Sequence, residues 1–148
     1  MKIKLFVLAL AACLAMGCAT VPLADEAMDL SAKKFIPNEN KANIYIFRKK
    51  AFFASGVLFP VRVDGRTIGS IAPGTYFMAE VETGEHSITI SAPQNTHTIK
   101  MVPVIGNSYF FSVKIKANHN TPRATFKSVS EANGKKKVNK SKRARGNF

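Results

Sequence analysis

The feature that most constrains this fold is an alternation of apolar and polar residues between Ala42 and Val129, with a period of two. Turn sequences such as Asp64-Gly65 and Gly106-Asn107 divide it into about eight short runs, at the spacing typical of antiparallel all-β domains. The longest run alternates apolar residues with polar residues expected to face outward: Tyr109, Phe111, Val113 and Ile115 against Ser112, Lys114 and Lys116. We therefore predict an all-β fold, an antiparallel β-sandwich of about seven to eight strands over residues 41–130.

Two stretches allow sharper predictions within that domain. Ile44-Tyr45-Ile46-Phe47 is apolar at every position, which predicts a strand buried on both faces. Asp64-Gly65 is a strong hairpin signal, so Val63 to Ile71 should form two strands joined by a tight turn. No stretch after Phe35 shows a helical period, and we predict no further helix.

The amino terminus has the pattern of a bacterial lipoprotein signal. Lys2 and Lys4 precede the apolar run Leu5 to Leu14, and Ala15-Met16-Gly17 leads to Cys18. In that class the cysteine receives a diacylglycerol, the peptide is cut before it, and the new amine is usually acylated. We predict removal of residues 1–17 and lipid attachment at Cys18, which fixes the protein to a membrane.

Two alternatives to this processing were considered. An uncut anchor would need about 20 apolar residues to span a bilayer, and the run ends sooner. Cys13 follows Leu10-Ala11-Ala12, which fits the small-residue pattern at least as well as the residues before Cys18. Its use would leave a short apolar region and a new end that is still apolar. Cys18 is therefore the predicted site.

Residues 18–40 are predicted to tether the lipid to the folded domain. Acidic residues begin the stretch from Asp25 to Lys34 and basic residues end it, which suits a short helix stopped before Pro37. A disordered tether is the alternative, because an isolated helix of this length is marginal in water.

Residues 131–148 differ in composition from the rest. They contain two large apolar residues, Val138 and Phe148, so we predict a disordered tail that can be removed without changing the fold. The chain has 22 basic and 9 acidic residues, a net charge of +13. We predict that the cations of the tail contact anionic lipid or an acidic envelope polymer: Lys135, Lys136, Lys137, Lys140, Lys142, Arg143 and Arg145.

Taken together, the chain resembles a family of small bacterial lipoproteins that carry a β-rich domain of unknown function. The stretches that match are Gly17-Cys18-Ala19, Ala32 to Phe35, Ala42 to Arg48, Val63-Asp64-Gly65 with Ile68-Gly69, Thr75-Tyr76-Phe77, Gly84-Glu85-His86 and Asn107 to Phe110. The resemblance implies a sandwich of the transthyretin-like or PEGA-like type, and it implies no activity. Ala19 after the cysteine resembles the sorting signal for the outer membrane. We expect the protein on the inner leaflet of that membrane, facing the periplasm.

Residues capable of catalysis or metal binding are scattered. His86, His97 and His119 stand singly, without the spacing of a zinc site. The acids Asp64, Glu80, Glu82 and Glu85 include turn residues, which lack the burial that raises a catalytic pKa. We therefore predict no catalytic residue, no metal and no cofactor. The predicted function is that of a lipid-anchored, non-enzymatic envelope protein with an interaction domain, and an envelope enzyme acting on glycan or lipid is the alternative.

Phe52-Phe53 follows Lys49-Lys50 and permits two interpretations. The pair could be an exposed loop tip that touches membrane or a partner, or it could be an edge of the core. Aromatic residues among cations also suit single-stranded nucleic acid, but export argues against a nucleic-acid partner.

Overall fold

The computed structural model describes residues 20–52, 54–118 and 121–148, which form two packed β-sheets and two short helices. The helices are α1 (Glu26–Ala32) and α2 (Glu131–Val138). The strands are β1 (Ala42–Arg48), β2 (Phe59–Val63), β3 (Arg66–Ile71), β4 (Thr75–Val81), β5 (His86–Ala92), β6 (Asn95–Met101), β7 (Ser108–Asn118), β8 (Thr121–Val129) and β9 (Lys142–Arg143).

One sheet has five strands in the order β8-β7-β1-β4-β9, and the other has four in the order β3-β2-β5-β6. Most neighbours are antiparallel, whereas β1 with β7 and β4 with β9 are parallel. The predicted all-β sandwich is confirmed. The parallel pairs arise because each joins strands far apart in sequence, which leaves room for the long connection that parallel pairing needs.

Strand β1 lies at the centre of the five-stranded sheet and is buried along its whole length. Ile44 and Ile46 belong to the core between the two sheets. Tyr45 and Phe47 point the opposite way, into a second apolar cluster beneath the helices. The prediction of a strand buried on both faces is confirmed, and its cause is a third layer outside the sandwich.

The two sheets are also joined along one side by polar groups. The side-chain amide of Asn95 on β6 donates to the carbonyl of Ala124 on β8 at 2.8 Å and accepts from its N–H at 3.0 Å. Two residues further on, Nδ1 of His97 accepts from the N–H of Phe126 at 3.1 Å. These bonds satisfy backbone groups that would otherwise be unpaired at the sheet edges.

The predicted hairpin between β2 and β3 is confirmed. Asp64 and Gly65 have φ values of 50° and 77°, and Val63 pairs with Arg66. Positive φ at both central residues is the conformation of the type I′ turn, whose twist matches that of the flanking strands.

Helix α1 lies within the predicted range of Asp25 to Lys34, so the helical alternative is the one confirmed. Asp25 caps the helix by accepting from the N–H of Met28 at 2.8 Å. Asp29 and Ala32 on its inner face are buried. The chain before the helix is also held in place, because Leu23 forms a β-bridge with Ala144.

The predictions of a disordered tail and of no helix after Phe35 are wrong. Residues 131–138 form α2, and β9 extends the five-stranded sheet by pairing with Thr75 and Tyr76. Composition was misleading because the tail needs few apolar residues to pack. Val138 is fully buried, and Gly134 lets α2 lie directly against Phe110.

The prediction that Ser112 faces outward is wrong for the same reason. Ser112 on β7 was expected to face solvent, and it is 2% exposed. It lies on the face of the sheet that Phe110 and Phe47 share with the helices, so the structured tail contributes to its burial.

Candidate functional site

The seven cations predicted to contact an anionic surface lie on α2, on β9 and in the residues around them. Two of them are engaged in holding the fold together. Lys135 pairs with Glu131 at 2.6 Å and lies 5.4 Å from the centre of the Phe35 ring. The backbone N–H of Arg143 donates to Asp29 Oδ1 at 3.0 Å, and its guanidinium donates to the carbonyl of Met28 at 3.1 Å.

Three of the remaining cations, Lys136, Lys137 and Lys140, lie on or next to α2. Lys49, just after the end of β1, lies close to them. The pKa of the Lys137 ammonium is lowered, chiefly because Lys49 lies near it and further because Lys140 and Lys136 add positive charge. Lys49 was not among the predicted site residues, since only the fold brings it close to the tail.

A second group of cations surrounds the start of the described chain. Thr20, Val21 and Leu23 line a shallow pocket of about 320 Å³ together with Lys50 and Lys142. Cys18 and Cys13 lie outside the described residues, so lipid attachment at Cys18 stays a prediction. Two residues span at most about 7 Å, so a lipid on Cys18 would lie close to this group.

Phe52 lies on the loop that follows Lys49 and Lys50, and its side chain is fully exposed. Arg48 holds the base of this loop by donating to the carbonyls of Ala54 at 2.7 Å and Val57 at 2.5 Å. Of the two interpretations considered above, the exposed one holds for Phe52, and Phe53 lies outside the described residues. We call Lys50, Phe52 and Lys142 the anchor-side surface.

The most buried charged group of the helix layer is Asp29. Its carboxylate accepts from Lys33 Nζ at 2.7 Å and from the Tyr76 hydroxyl at 2.8 Å. Burial by itself would raise the pKa of Asp29, but the hydrogen bonds from Lys33, Tyr76 and Arg143 outweigh it and hold that pKa below 3.8. Burial raises the pKa of Tyr76, and that of Tyr45 to about 12. The donors to Asp29 are residues of this chain: Lys33 next to α1, Tyr76 on β4 and Arg143 on β9. The network therefore ties both ends of the described chain to β4.

Two of the three histidines have structural partners. Nδ1 of His86 lies 2.7 Å from Asp64 Oδ2, and its Nε2 lies 3.2 Å from the carbonyl of Glu82. Asp64 also accepts from the N–H of Ser87, which ties the β2–β3 turn to the start of β5. His97 bonds the backbone of β8, and His119 lies outside the described residues. Within the described ranges, no group of three or more His, Cys, Asp or Glu residues could hold a metal ion.

The other three acids singled out from the sequence are exposed and paired. Glu80 accepts from the Asn38 amide at 2.5 Å. Glu82 pairs with Lys41 at 2.7 Å, and this contact lowers the pKa of Glu82. Glu85 pairs with Lys100 at 3.0 Å. Each of these three carboxylates therefore has a partner of its own on a neighbouring segment.

In the part of the chain that the structure describes, neither helix is long and apolar enough to cross a membrane.

Comparison with known proteins gives one family and one relative. The model of the family described as "Protein of unknown function (DUF2846)" matches residues 38–126. An uncharacterized protein from Haemophilus influenzae (strain ATCC 51907 / DSM 11121 / KW20 / Rd) is 29% identical over 125 residues, which cover 84% of this chain and 74% of that protein. No solved structure matches.

Proposed function

The chain belongs to the DUF2846 family of proteins of unknown function, and from this premise we propose a lipid-anchored, non-enzymatic protein of the bacterial cell envelope. In this proposal the lipid on Cys18 fixes the protein to the inner leaflet of the outer membrane, on the periplasmic side. The anchor-side surface then rests on anionic headgroups, and the sandwich is presented away from the membrane for interaction.

The observation that carries the proposal is the shared pocket of Thr20, Lys50 and Lys142. Electrostatic attraction to an anionic surface fades beyond a Debye length of roughly 8 Å at physiological salt. Cations beside Thr20 would lie within that range if Cys18 carries the lipid. Each could then contribute up to about 1 kcal/mol, whereas the acyl chains contribute on the order of tens of kcal/mol. The lipid would therefore decide location, and the lysines would decide orientation.

Phe52 supports the same orientation. A fully exposed phenylalanine is unfavourable in water, and aromatic side chains are enriched at the interface between membrane and water. Because Arg48 holds the base of the loop, insertion of Phe52 would cost little additional ordering. Lys50, two residues before it, would meet the headgroups.

The non-enzymatic part of the proposal is supported by the partners of the candidate residues. Asp64 and His86 bond to each other and to backbone groups, and the other acids considered bond to Lys41, Lys100 and Asn38. These contacts account for the carboxylates as structural pairs. Among the described residues, no contact favours the alternative of an envelope enzyme acting on glycan or lipid.

Cell fractionation combined with radiolabelled fatty acid tests the anchor. Cys18→Ser should abolish labelling and release the protein from the membrane fraction, because the remaining attraction is too weak to retain it. Cys13→Ser is the matched control and should do neither. Labelling that survives Cys18→Ser would refute attachment at that residue.

Vesicle flotation tests the orienting surface. On the Cys18→Ser chain, Lys50→Gln with Lys142→Gln should weaken binding to vesicles of phosphatidylglycerol and phosphatidylcholine at low salt. Lys100→Gln with Lys116→Gln removes the same charge from residues outside the anchor-side surface and should have the smaller effect. Equal losses in the two double variants would contradict the proposed orientation.

A further inference from the structure

A pocket of about 290 Å³ lies between α2 and the outer face of the five-stranded sheet. Four lysines and one buried serine are among its lining residues: Lys49, Lys114, Lys127, Lys137 and Ser112. We call it the basic pocket. It shares no lining residue with the pocket beside Thr20, Lys50 and Lys142.

The register of the sheet explains why these groups converge. Ser112 on β7 is paired with Lys127 on β8, so their side chains stand on the same face. Lys114 follows Ser112 by two residues and points the same way. Helix α2 closes the space from above with Lys137, and Lys49 comes from just beyond the end of β1.

Within the described ranges, Ser112 and the four lysines of the basic pocket have no side-chain hydrogen-bond or ion-pair partner. Ser112 is 2% exposed, and in the described part of the chain its hydroxyl has no hydrogen-bond partner. A buried hydroxyl without a partner is unfavourable and requires an explanation, such as a ligand. Among the same residues, none of the four lysines lies within ion-pair distance of a carboxylate.

We propose that the basic pocket binds a phosphoryl group carrying two negative charges, as inorganic phosphate or a small phosphate monoester does. Lysines bind phosphate as point charges, and the Ser112 hydroxyl can donate to one phosphate oxygen. The volume is at the lower end of the range for small-molecule sites, which suits a phosphate with a small attached group. A bound dianion would also relieve the crowding of Lys137 by Lys49.

This inference goes beyond the proposed function and does not depend on the lipid anchor. A protein released from the membrane would keep the basic pocket. An anchored protein could fail to bind phosphate. The two proposals can therefore fail separately, because fractionation tests one and solution binding tests the other.

The test is calorimetric titration of the full chain, in an uncharged detergent and 0.15 M salt, with inorganic phosphate. We expect saturable binding at one site, weakened at least tenfold by Lys127→Gln with Lys137→Gln. Lys116→Gln, on β7 two residues beyond Lys114 and outside the pocket lining, should stay within twofold of the natural chain. Absence of saturable binding, or equal weakening by Lys116→Gln, would overturn the proposal.

Ser112→Ala separates a binding role from a structural one. It removes an unpaired hydroxyl, so the melting temperature should be unchanged or raised while phosphate affinity falls several-fold. Unchanged affinity in this variant would refute the role of the hydroxyl as a donor to the ligand.

Two further probes identify the source of the phosphoryl group. Glycerol 3-phosphate binding more tightly than inorganic phosphate would support a soluble monoester. Vesicles of phosphatidic acid binding more tightly than either, with the loss in Lys127→Gln and Lys137→Gln preserved, would support a lipid headgroup. If all three probes bind no better to the natural chain than to the double variant, the pocket is not a phosphoryl site.

Discussion

The two faces of the five-stranded sheet are covered in different ways. The face toward the second sheet packs a core of aliphatic and phenylalanine side chains from both sheets, among them Ile44, Val61, Phe77 and Ile90. The opposite face packs Tyr45, Tyr76 and Phe110 against the two helices. That layer contains buried polar groups, since the tyrosine hydroxyls reach the carbonyl of Ala32 and the carboxylate of Asp29.

This difference indicates that the helix layer is held by specific contacts and the sandwich by burial of apolar area. Apolar burial depends little on direction, whereas a buried carboxylate destabilises the fold unless each of its partners is present. The helix layer is assembled from the two ends of the described chain, which meet through Asp29 and Arg143. The matched family region, residues 38–126, contains neither helix.

Removal of residues 131–148 should cause the largest loss of stability among the changes that test this comparison. The deletion would uncover Phe110 and Tyr76 and unpair the edge of β4, so we expect a loss on the order of 5 kcal/mol or more, comparable to the whole stability of a domain. Circular dichroism and thermal melting should show no cooperative transition.

The control keeps the tail and removes charge only. Lys136→Gln with Lys140→Gln should melt within about 0.5 kcal/mol of the natural chain, as surface substitutions usually do. A deleted chain that still melts cooperatively would show that the helix layer is dispensable.

Asp29→Ala should have the next largest effect. It removes the carboxylate that accepts from Lys33, the Tyr76 hydroxyl and the Arg143 N–H, and breaking a buried pair typically costs about 3 to 5 kcal/mol. Val61→Ala, in the core between the sheets, should cost about 2 kcal/mol by lost packing alone. Urea unfolding of both variants gives the comparison.

Of the Asp29 and Val61 contributions to stability, only that of Asp29 should depend on pH. The folded pKa of this carboxyl is lowered, so its stabilisation is present above the unfolded pKa of about 3.9 and is lost as pH falls through the folded value. The stability difference between the natural chain and Asp29→Asn should therefore shrink as pH falls from 5 to 2. A difference that is constant over this range would mean that Asp29 is not stabilised as an anion.

Gly134→Ala should cost about 2 kcal/mol, opposite to the usual gain when alanine replaces glycine in a helix. A Cβ at this position would overlap the Phe110 ring, so α2 would have to move off β7. Lys136→Ala, at an exposed position of the same helix, should be neutral or slightly stabilising. Thermal melting that places Gly134→Ala above the natural chain would show that the contact is loose.

The sandwich and helix α1 could be predicted from the sequence, and the structured tail could not, for a physical reason. Most strands of the sandwich are indicated by their own apolar pattern, and turns such as Asp64-Gly65 are indicated by their own residues. Helix α2 depends instead on one buried valine, Val138, and on a glycine whose role is visible only when Phe110 lies beneath it. The basic pocket has the same character, because Lys49, Lys127 and Lys137 come from three distant stretches.

The smallest expected effect belongs to Gly65→Val, in a turn that was predicted from the sequence. Gly65 has a φ of 77°, which a β-branched residue adopts only with strain, while a side chain there would meet no atom within 4 Å. The cost is therefore a backbone cost of about 1.5 kcal/mol, without a packing contribution. Gly56→Val is the matched control, because a side chain at Gly56 would also meet no atom within 4 Å and its φ is not in the left-handed region. If thermal melting gives equal losses for the two variants, the loss at Gly65 does not come from strain in the turn. A loss above that of Gly134→Ala would mean that the hairpin, and not the helix layer, is the more sensitive region.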